Sequence, residues 1–487
     1  MAQHEQPGLK SSLYRPLSAD DRRQVADSAF EVLETTGMAV YSDTAFEVLR
    51  EAGAEVDGED RRVRLPRSMV EDAIASTPSS LTLHSRDGNY DARLEQDRVH
   101  YGTGGTAIYV LDPDSGERRP SKTGDVVLNA RLADRLENVH VFTINVFPNE
   151  IEAEDEIDVN RFFHSLDNTT RHVMGGIYSL EGSRKVVEMA EMLAGGEEEL
   201  RREPFVSFIT LIISPFKIDQ DYGEMTCFFA RKGLPVVVPT EPMCGTTAPV
   251  TLAGNVLVHT AETLAGVTLV QAVNEGAPAI CGSGGSISDL RSMSNLAGPV
   301  ERGMINAGVS QMAQHFKIPF YGTAGTTDAK EVDAQSSYES AMSSLLVAMS
   351  GANYIHDIAG LMEFDLTVSY EKMVIDNEIL GMCQRVLRGI EVDEETLGLE
   401  MLKRKKPGED YLAEPHTVEH MRDEFFMPEL SNRNKRENYS ADENAEARAR
   451  KIVNEVRRSD ADCKIPTDIR EKIIGSYPEI RDDAEVV

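Results

Sequence analysis

Between residues 99 and 363 the chain alternates short apolar runs with longer stretches of helical period. The clearest runs are 139–147 (VHVFTINVF), 205–213 (FVSFITLII), 234–239 (LPVVVP), 277–282 (APAICG), 319–322 (PFYG) and 352–356 (ANYIH). They are rich in β-branched residues and lack polar-apolar alternation, as strands buried on both faces do. Stretches long enough for a helix lie between them, so the pattern predicts β-α units on a parallel sheet. These units recur too often for a small open sheet. A closed (β/α)8 TIM barrel of the α/β class is expected, with a doubly wound open sheet as the alternative.

The flanks differ. Ser18 is placed to cap a helix whose apolar stripe is Val25, Ala29, Val32 and Leu33, with Gly37 as its stop. A second helix is predicted over 43–53, then strand, helix and strand over 62–86. Beyond the barrel, 369–390 shows Met373, Leu380, Cys383, Leu387 and Ile390 on one helical face. The charged stretch 432–460 suits a solvated amphipathic helix, and the last residues, 481–487, suit a frayed tail. The resulting division is an N-terminal extension over 1–95, the barrel over 96–390 and a helical C-terminal extension over 391–487.

The segments just past the runs carry the candidate chemistry. Polar or glycine-rich stretches such as 240–247 (TEPMCGTT), 282–286 (GSGGS) and 322–328 (GTAGTTD) come directly after strand candidates. In a barrel these are the C-terminal loops, where active sites are built. Two constellations stand out. One is the loop 101–109 (YGTGGTAIY), which offers Tyr101, Gly104 and Tyr109 for substrate binding and reads equally as a tight turn. The other brings Asp328, Glu339 and His356 as catalytic candidates, with Tyr338 and Glu363 as substrate contacts. Each of these residues alone fits a structural role as well. Three successive elements delivering carboxylates, an aromatic and an imidazole to one face favour a site.

Other patterns carry less. Asn255, His259 and Glu262 form a polar stripe on an apolar helix. Glu262 lies about 13 residues past its start, roughly 20 Å along, which favours a structural network. His416 and His420 share a helix face but lack the helper of a metalloprotease motif, so no metal site is expected. The glycine-rich loops lack dinucleotide and P-loop spacing.

Composition narrows the partners. Among 487 residues, 82 are acidic and 50 basic, a formal charge of −32. Such a surface repels nucleic acid and anionic membrane and suits a cytoplasm of high salt. The five cysteines are odd in number and none forms a C-x-x-C pair, which fits a reducing cytoplasm. The first residues show no signal-peptide pattern, so a cytoplasmic location is expected. The apolar stretch 249–273 contains Asn255, His259, Glu262 and Gln271, which suits a buried helix better than a membrane span.

Six strings together resemble the trimethylamine methyltransferase superfamily: GTGGTAIYVLD (102–112), APVTLAGNVLVHTAETLAG (248–266), TDAKEVDAQSSYESAMSSLLVAMSGAN (327–353), SYEKMVIDNEILGM (369–382), RGIEVD (388–393) and HTVEHMRDEFFMPEL (416–430). The similarity runs in order from about Gln6 to Tyr439. It implies a barrel enzyme that moves a methyl group from a methylated amine to a corrinoid (cobalamin) held by a separate protein, with no tightly bound cofactor of its own. A homo-oligomer is expected. The founding members carry pyrrolysine, whose counterpart is sought here between Thr327 and His356. Because only standard residues occur, the chain resembles the group that demethylates quaternary amines such as glycine betaine. The chemistry agrees. Co(I) attacking a quaternary ammonium expels a neutral tertiary amine, so no general acid is required. Trimethylamine itself would have to be protonated or captured first. The alternatives are a trimethylamine methyltransferase, an enzyme using free cobalamin, and a non-catalytic betaine-binding barrel.

Overall fold

Eight parallel strands form a ring in chain order. They are β1 (Arg98–Tyr101), β2 (Val141–Thr143), β3 (His172–Gly176), β4 (Val206–Ile209), β5 (Val236–Thr240), β6 (Ala279–Ser283), β7 (Phe320–Thr323) and β8 (Tyr354–His356). In the computed structural model, which describes residues 8–440, 443–459 and 463–482, each strand pairs with the next. The ring closes where β8 pairs with β1 through Tyr354 with His100, and where Gly102 bridges Val141. This closure excludes the open sheet and gives a (β/α)8 barrel.

Side-chain alternation within the uniformly apolar runs sorts two cores. Val141, Met174, Val237, Ile280, Tyr321 and Tyr354 fill the interior. Their neighbours Phe142, Val173, Val236, Val238, Phe320 and Ile355 face the surrounding helices. The helices are α1 (Thr123–Arg135), α2 (Glu154–Asn168), α3 (Leu180–Ala194), α4 (Gln220–Lys232), α5 (Leu252–Val273), α6 (Val300–Phe316), α7 (Ala334–Met349) and α8 (Tyr370–Arg388). Helix α5 has the length and apolarity of a membrane span, but 83% of its apolar window is buried inside the protein. It is apolar on every face because it is covered on every face.

The N-terminal segment closes the barrel floor. The hairpin of Ser80–Leu83 and Ala92–Glu95 inserts Leu83, Ala92 and Leu94 into the interior core. The helix Ala19–Thr35 begins with Ser18 as cap, in a reciprocal box with Asp21, and ends against Gly37 at φ +68°. Helices Asp43–Glu51 and Arg67–Ser76 come next, the latter flanked by short strands.

Helix α8 ends at Arg388, two residues earlier than its periodicity suggests, and Ile390 is 86% exposed beyond it. Gly389 ends the helix at φ +74°. Helix Ala445–Arg458 buries Ala449, Ile452 and Val453 and packs on α8 and α1. Helix Pro415–Glu424, which carries His416 and His420, buries no residue. The predicted tail, 483–487 within it, lies outside the described residues.

The polar stripe on α5 is a satisfied network, but its depth differs from that expected of the sequence. Glu262 accepts from Ser214 Oγ at 2.7 Å and Phe216 N at 2.6 Å, and from Thr240. Thr240 ends β5, so Glu262 is level with the strand ends. The helix starts well above the barrel rim, which the residue count alone does not reveal. His259 completes the network between Asn255 and Ser283.

Candidate active site at the barrel mouth

A cavity of about 500 Å³ opens at the C-terminal ends of the strands. Its walls come from residues just past the strands: Thr106, Tyr178, Leu211, Glu241, Gly284 and Asp357 among them. Tyr321 and His356, from β7 and β8, line it from below, Tyr222 and Arg302 from α4 and α6, and Phe364, Asp365 and Leu366 from the loop after β8. Size, concavity and position are those of a small-molecule site.

Local backbone sets several of these groups. Glu363, Phe364 and Asp365 all take positive φ, at +49°, +61° and +69°. Such a run costs roughly 1–2 kcal/mol per residue, so it must be held. Thr367 donates to Glu363 at 2.5 Å, and Arg302 grips Asp365 at 2.8 and 3.0 Å. The strained turn thereby aims Phe364 and Asp365 into the cavity. Asp357, directly after β8, also sits at φ +62°.

His356 stacks on Tyr321, with centroids 3.7 Å apart and planes at 12°. Thr323 Oγ1 donates to the Ser283 carbonyl at 2.8 Å, so its lone pair accepts from His356 Nε2–H at 2.6 Å. That leaves Nδ1 facing Asp357 Oδ1 at 2.7 Å, without hydrogen-bond alignment. Gly104 makes this possible, since a Cβ there would lie 2.3 Å from Asp357 Oδ1 and 2.9 Å from His356 Nδ1.

The cavity is rich in acid. Glu241, Asp357 and Asp365 face one arginine, Arg302. Burial lowers the Arg302 pKa, but Asp365 and Asp357 more than offset it and hold the guanidinium charged. Burial lifts the Asp365 carboxyl above its usual range against the pull of Arg302. Glu241 is accessible from the open cavity but surrounded by protein at the mouth; that desolvation, eased by Arg302 and reinforced by Asp357, raises it to about 7. Burial also pushes Tyr222 up to about 12 and Tyr321 well above its ordinary value, so both stay neutral phenols. Neutral aromatic faces beside surplus carboxylates suit a cation that offers no N–H.

Of the eight residues singled out from the sequence, His356 lines the cavity and Gly104 packs behind it. The other six point elsewhere. Tyr101 is buried between sheet and helices, stacked on His140 at 5.7 Å. Tyr109 lies under Arg118, with the guanidinium 4.2 Å from its ring. Tyr338 is 62% exposed on the outer face of α7. Glu339 ties down a loop, accepting from Thr327 Oγ1 at 2.5 Å and Asp328 N at 2.9 Å. Asp328 accepts from Ala297 N at 2.7 Å, and Glu363 braces the strained turn. The residues that sequence reasoning missed are Glu241, Arg302, Asp365, Tyr178, Tyr222, Tyr321 and Phe364. The signal for Glu241 was present, because it is the first residue past β5. Arg302 and Tyr222 reach in from helices and leave no such mark.

A profile of the Trimethylamine methyltransferase (MTTB) family matches residues 2–482. The chain is 34% identical to the trimethylamine methyltransferase MttB of Desulfitobacterium hafniense strain DSM 10664 / DCB-2, over 87% of this chain and 85% of that one. It is 30% identical to the glycine betaine methyltransferase of Desulfitobacterium hafniense strain Y51, over 86% and 87%. Among solved structures, the Methanosarcina barkeri monomethylamine methyltransferase (MtmB) aligns over 99% of this chain and 96% of that one, at 14% identity and a TM-score of 0.48.

Proposed function

The chain belongs to the trimethylamine methyltransferase (MTTB) family, and from that premise we propose that it moves a methyl group from a quaternary amine to Co(I) of a corrinoid carried by a separate protein. The amine proposed is glycine betaine or a related betaine. What carries this is the cavity at the barrel mouth, lined by aromatic faces and with more carboxyls than cations. A trimethylammonium head has no N–H to donate and is held by ring faces and by unpaired negative charge. Tyr222, Tyr321 and Glu241 supply both. A betaine's carboxylate would meet Arg302, whose bonds to Thr326 and Asp365 all run through one nitrogen, Nη1. His356, fixed by Thr323, borders the same space.

The corrinoid is the second substrate and supplies a two-electron nucleophile. The cobalt–carbon bond forms as the carbon–nitrogen bond breaks, and the electron pair stays on nitrogen as a neutral tertiary amine. No proton moves. The protein's tasks are to hold the cation, present one methyl outward and exclude water.

A second reading has its own support, since a relative at 34% identity is named for trimethylamine. Trimethylamine would have to react as its protonated ammonium, which the carboxyls of the cavity would also hold. The test mixes the protein anaerobically with a Co(I) corrinoid protein and a panel of methylated amines, monitoring cobalt methylation by absorbance. Methylation from glycine betaine and not from trimethylamine supports the proposal. Methylation from trimethylamine alone establishes the second reading. No methylation from any amine, with a competent corrinoid protein present, overturns both.

A further inference from the structure

Among the described residues, Glu241 is the one cavity carboxyl with neither an arginine nor an imidazole in contact. Asp365 is gripped by Arg302, and Asp357 lies 2.7 Å from His356. No hydrogen bond to the Glu241 carboxyl contributes to its environment among the described residues. The fold has nevertheless made room for it. Gly284, at the start of the loop after β6, lies so close that a Cβ there would sit 2.7 Å from Glu241 Cγ and 2.9 Å from Oε1. Five groups face Glu241, each from a different element: Arg302 of α6, Asp357 past β8, Asp365 of the strained turn, Tyr222 of α4 and Tyr321 of β7. Two of these are like charges, and two are neutral phenols. Arg302 pairs with Asp365 and Thr326 through Nη1 rather than with Glu241.

An ionised Glu241 therefore faces like charges in the cavity with no counter-ion of its own. A carboxyl so placed holds its proton, and its value of about 7 reflects that. A bound quaternary ammonium changes the balance by supplying the missing positive charge. We infer that Glu241 is the counter-ion of the amine's cationic head, and that cation binding expels a proton from Glu241 to solvent. The balance is simple: the carboxylic acid becomes a carboxylate, buffer takes the proton, and the cavity's net charge is unchanged. The inference rests on the cavity being the amine site. It adds that substrate affinity is coupled to pH through one residue.

The probe is tetramethylammonium, which carries the head group and no acid tail. It is titrated into the full chain by calorimetry at pH 6, 7 and 8, in buffers of different ionisation enthalpy and constant high salt. With a free-state value near 7, affinity should rise ~10-fold from pH 6 to 8, and about half a proton should be released per cation at pH 7. Weak binding to the acidic surface is flat over this range, because ordinary carboxyls are already ionised. Burial also raises Asp158, which accepts from the Tyr178 and Ser179 amides, to about 7, and lifts Asp365 beside Arg302. Two variants separate them. Glu241→Gln should abolish both the pH dependence and the proton release, and Glu241→Asp should restore them. Flat affinity without proton release in the wild type overturns the inference, as does an unchanged pH profile in Glu241→Gln. If the same preparation still methylates a corrinoid protein from a quaternary amine, only the role of Glu241 fails. If it neither binds tetramethylammonium nor methylates, the proposed function fails with it.

Discussion

Single residues set the geometry of the mouth. Gly104→Ala would drive a methyl group into Asp357, whose Oδ1 and backbone N lie 2.3 and 2.6 Å from the new Cβ. The neighbour is backbone as well as side chain, so β8's exit must move. Turnover should fall at least tenfold while the fold survives; steady-state kinetics beside circular dichroism checks this. Glu241 makes a prediction about stability. Its folded value of about 7 lies above its ordinary 4.5, so the folded state holds the proton more tightly. Stability is then lost as pH rises from about 4.5 through 7. Glu241→Gln removes that loss, so the variant should melt higher than wild type at pH 8 and level with it at pH 4.5. Differential scanning fluorimetry at both values decides. Little at this scale was legible in the sequence. His356 stood out as a histidine at a strand end, and the other candidates were sought by proximity in the chain. Tyr338 and Glu339 begin the helix after β7, yet α7 turns one outward and uses the other to brace a loop. Helical phase relative to the barrel decided both outcomes, and an isolated sequence does not give it.

Elements hold the mouth together from behind. The buried pair of Lys372 and Asp376 on α8, 2.6 Å apart, bridges two of the loops. Lys372 donates to the Gly325 carbonyl after β7 at 2.9 Å, and Asp376 accepts from Gly360 N after β8 at 2.8 Å. Asp376→Asn leaves a buried ammonium without its counter-charge, which should cost about 3–5 kcal/mol in denaturant unfolding and lower turnover by loosening both loops. At the other end, Leu94 plugs the barrel floor. Leu94→Ala should cost about 2–5 kcal/mol and leave the amine affinity unchanged, because the site lies at the opposite face. Most elements could be read in advance. Runs such as 234–239 and 277–282 are uniformly apolar because a barrel strand is covered inside and out, and that pattern marked β5 and β6. The same uniformity hid which side chains face the interior. The depth of Glu262 was hidden too, because α5 begins above the rim, a fact of loop length and not of helical period.

For the whole molecule, charge and closure matter most. With a formal net charge of −32, the folded chain repels itself in dilute buffer, and salt screens that repulsion. The melting temperature should rise steeply between low salt and molar KCl; a flat profile would mean that local ion pairs already neutralise the surface. The closed ring gives one mouth, and the acid-rich, aromatic cavity lies there. The central claim is that a methyl group leaves an amine in that cavity for an external cobalt. The most direct measurement supplies glycine betaine with deuterated N-methyl groups and a Co(I) corrinoid protein, then tracks both products by mass spectrometry. The expected result is a trideuteromethyl group on cobalt and one dimethylglycine formed per methyl transferred. Unchanged betaine and unlabelled cobalt, with a corrinoid protein that other methyltransferases can methylate, would contradict it.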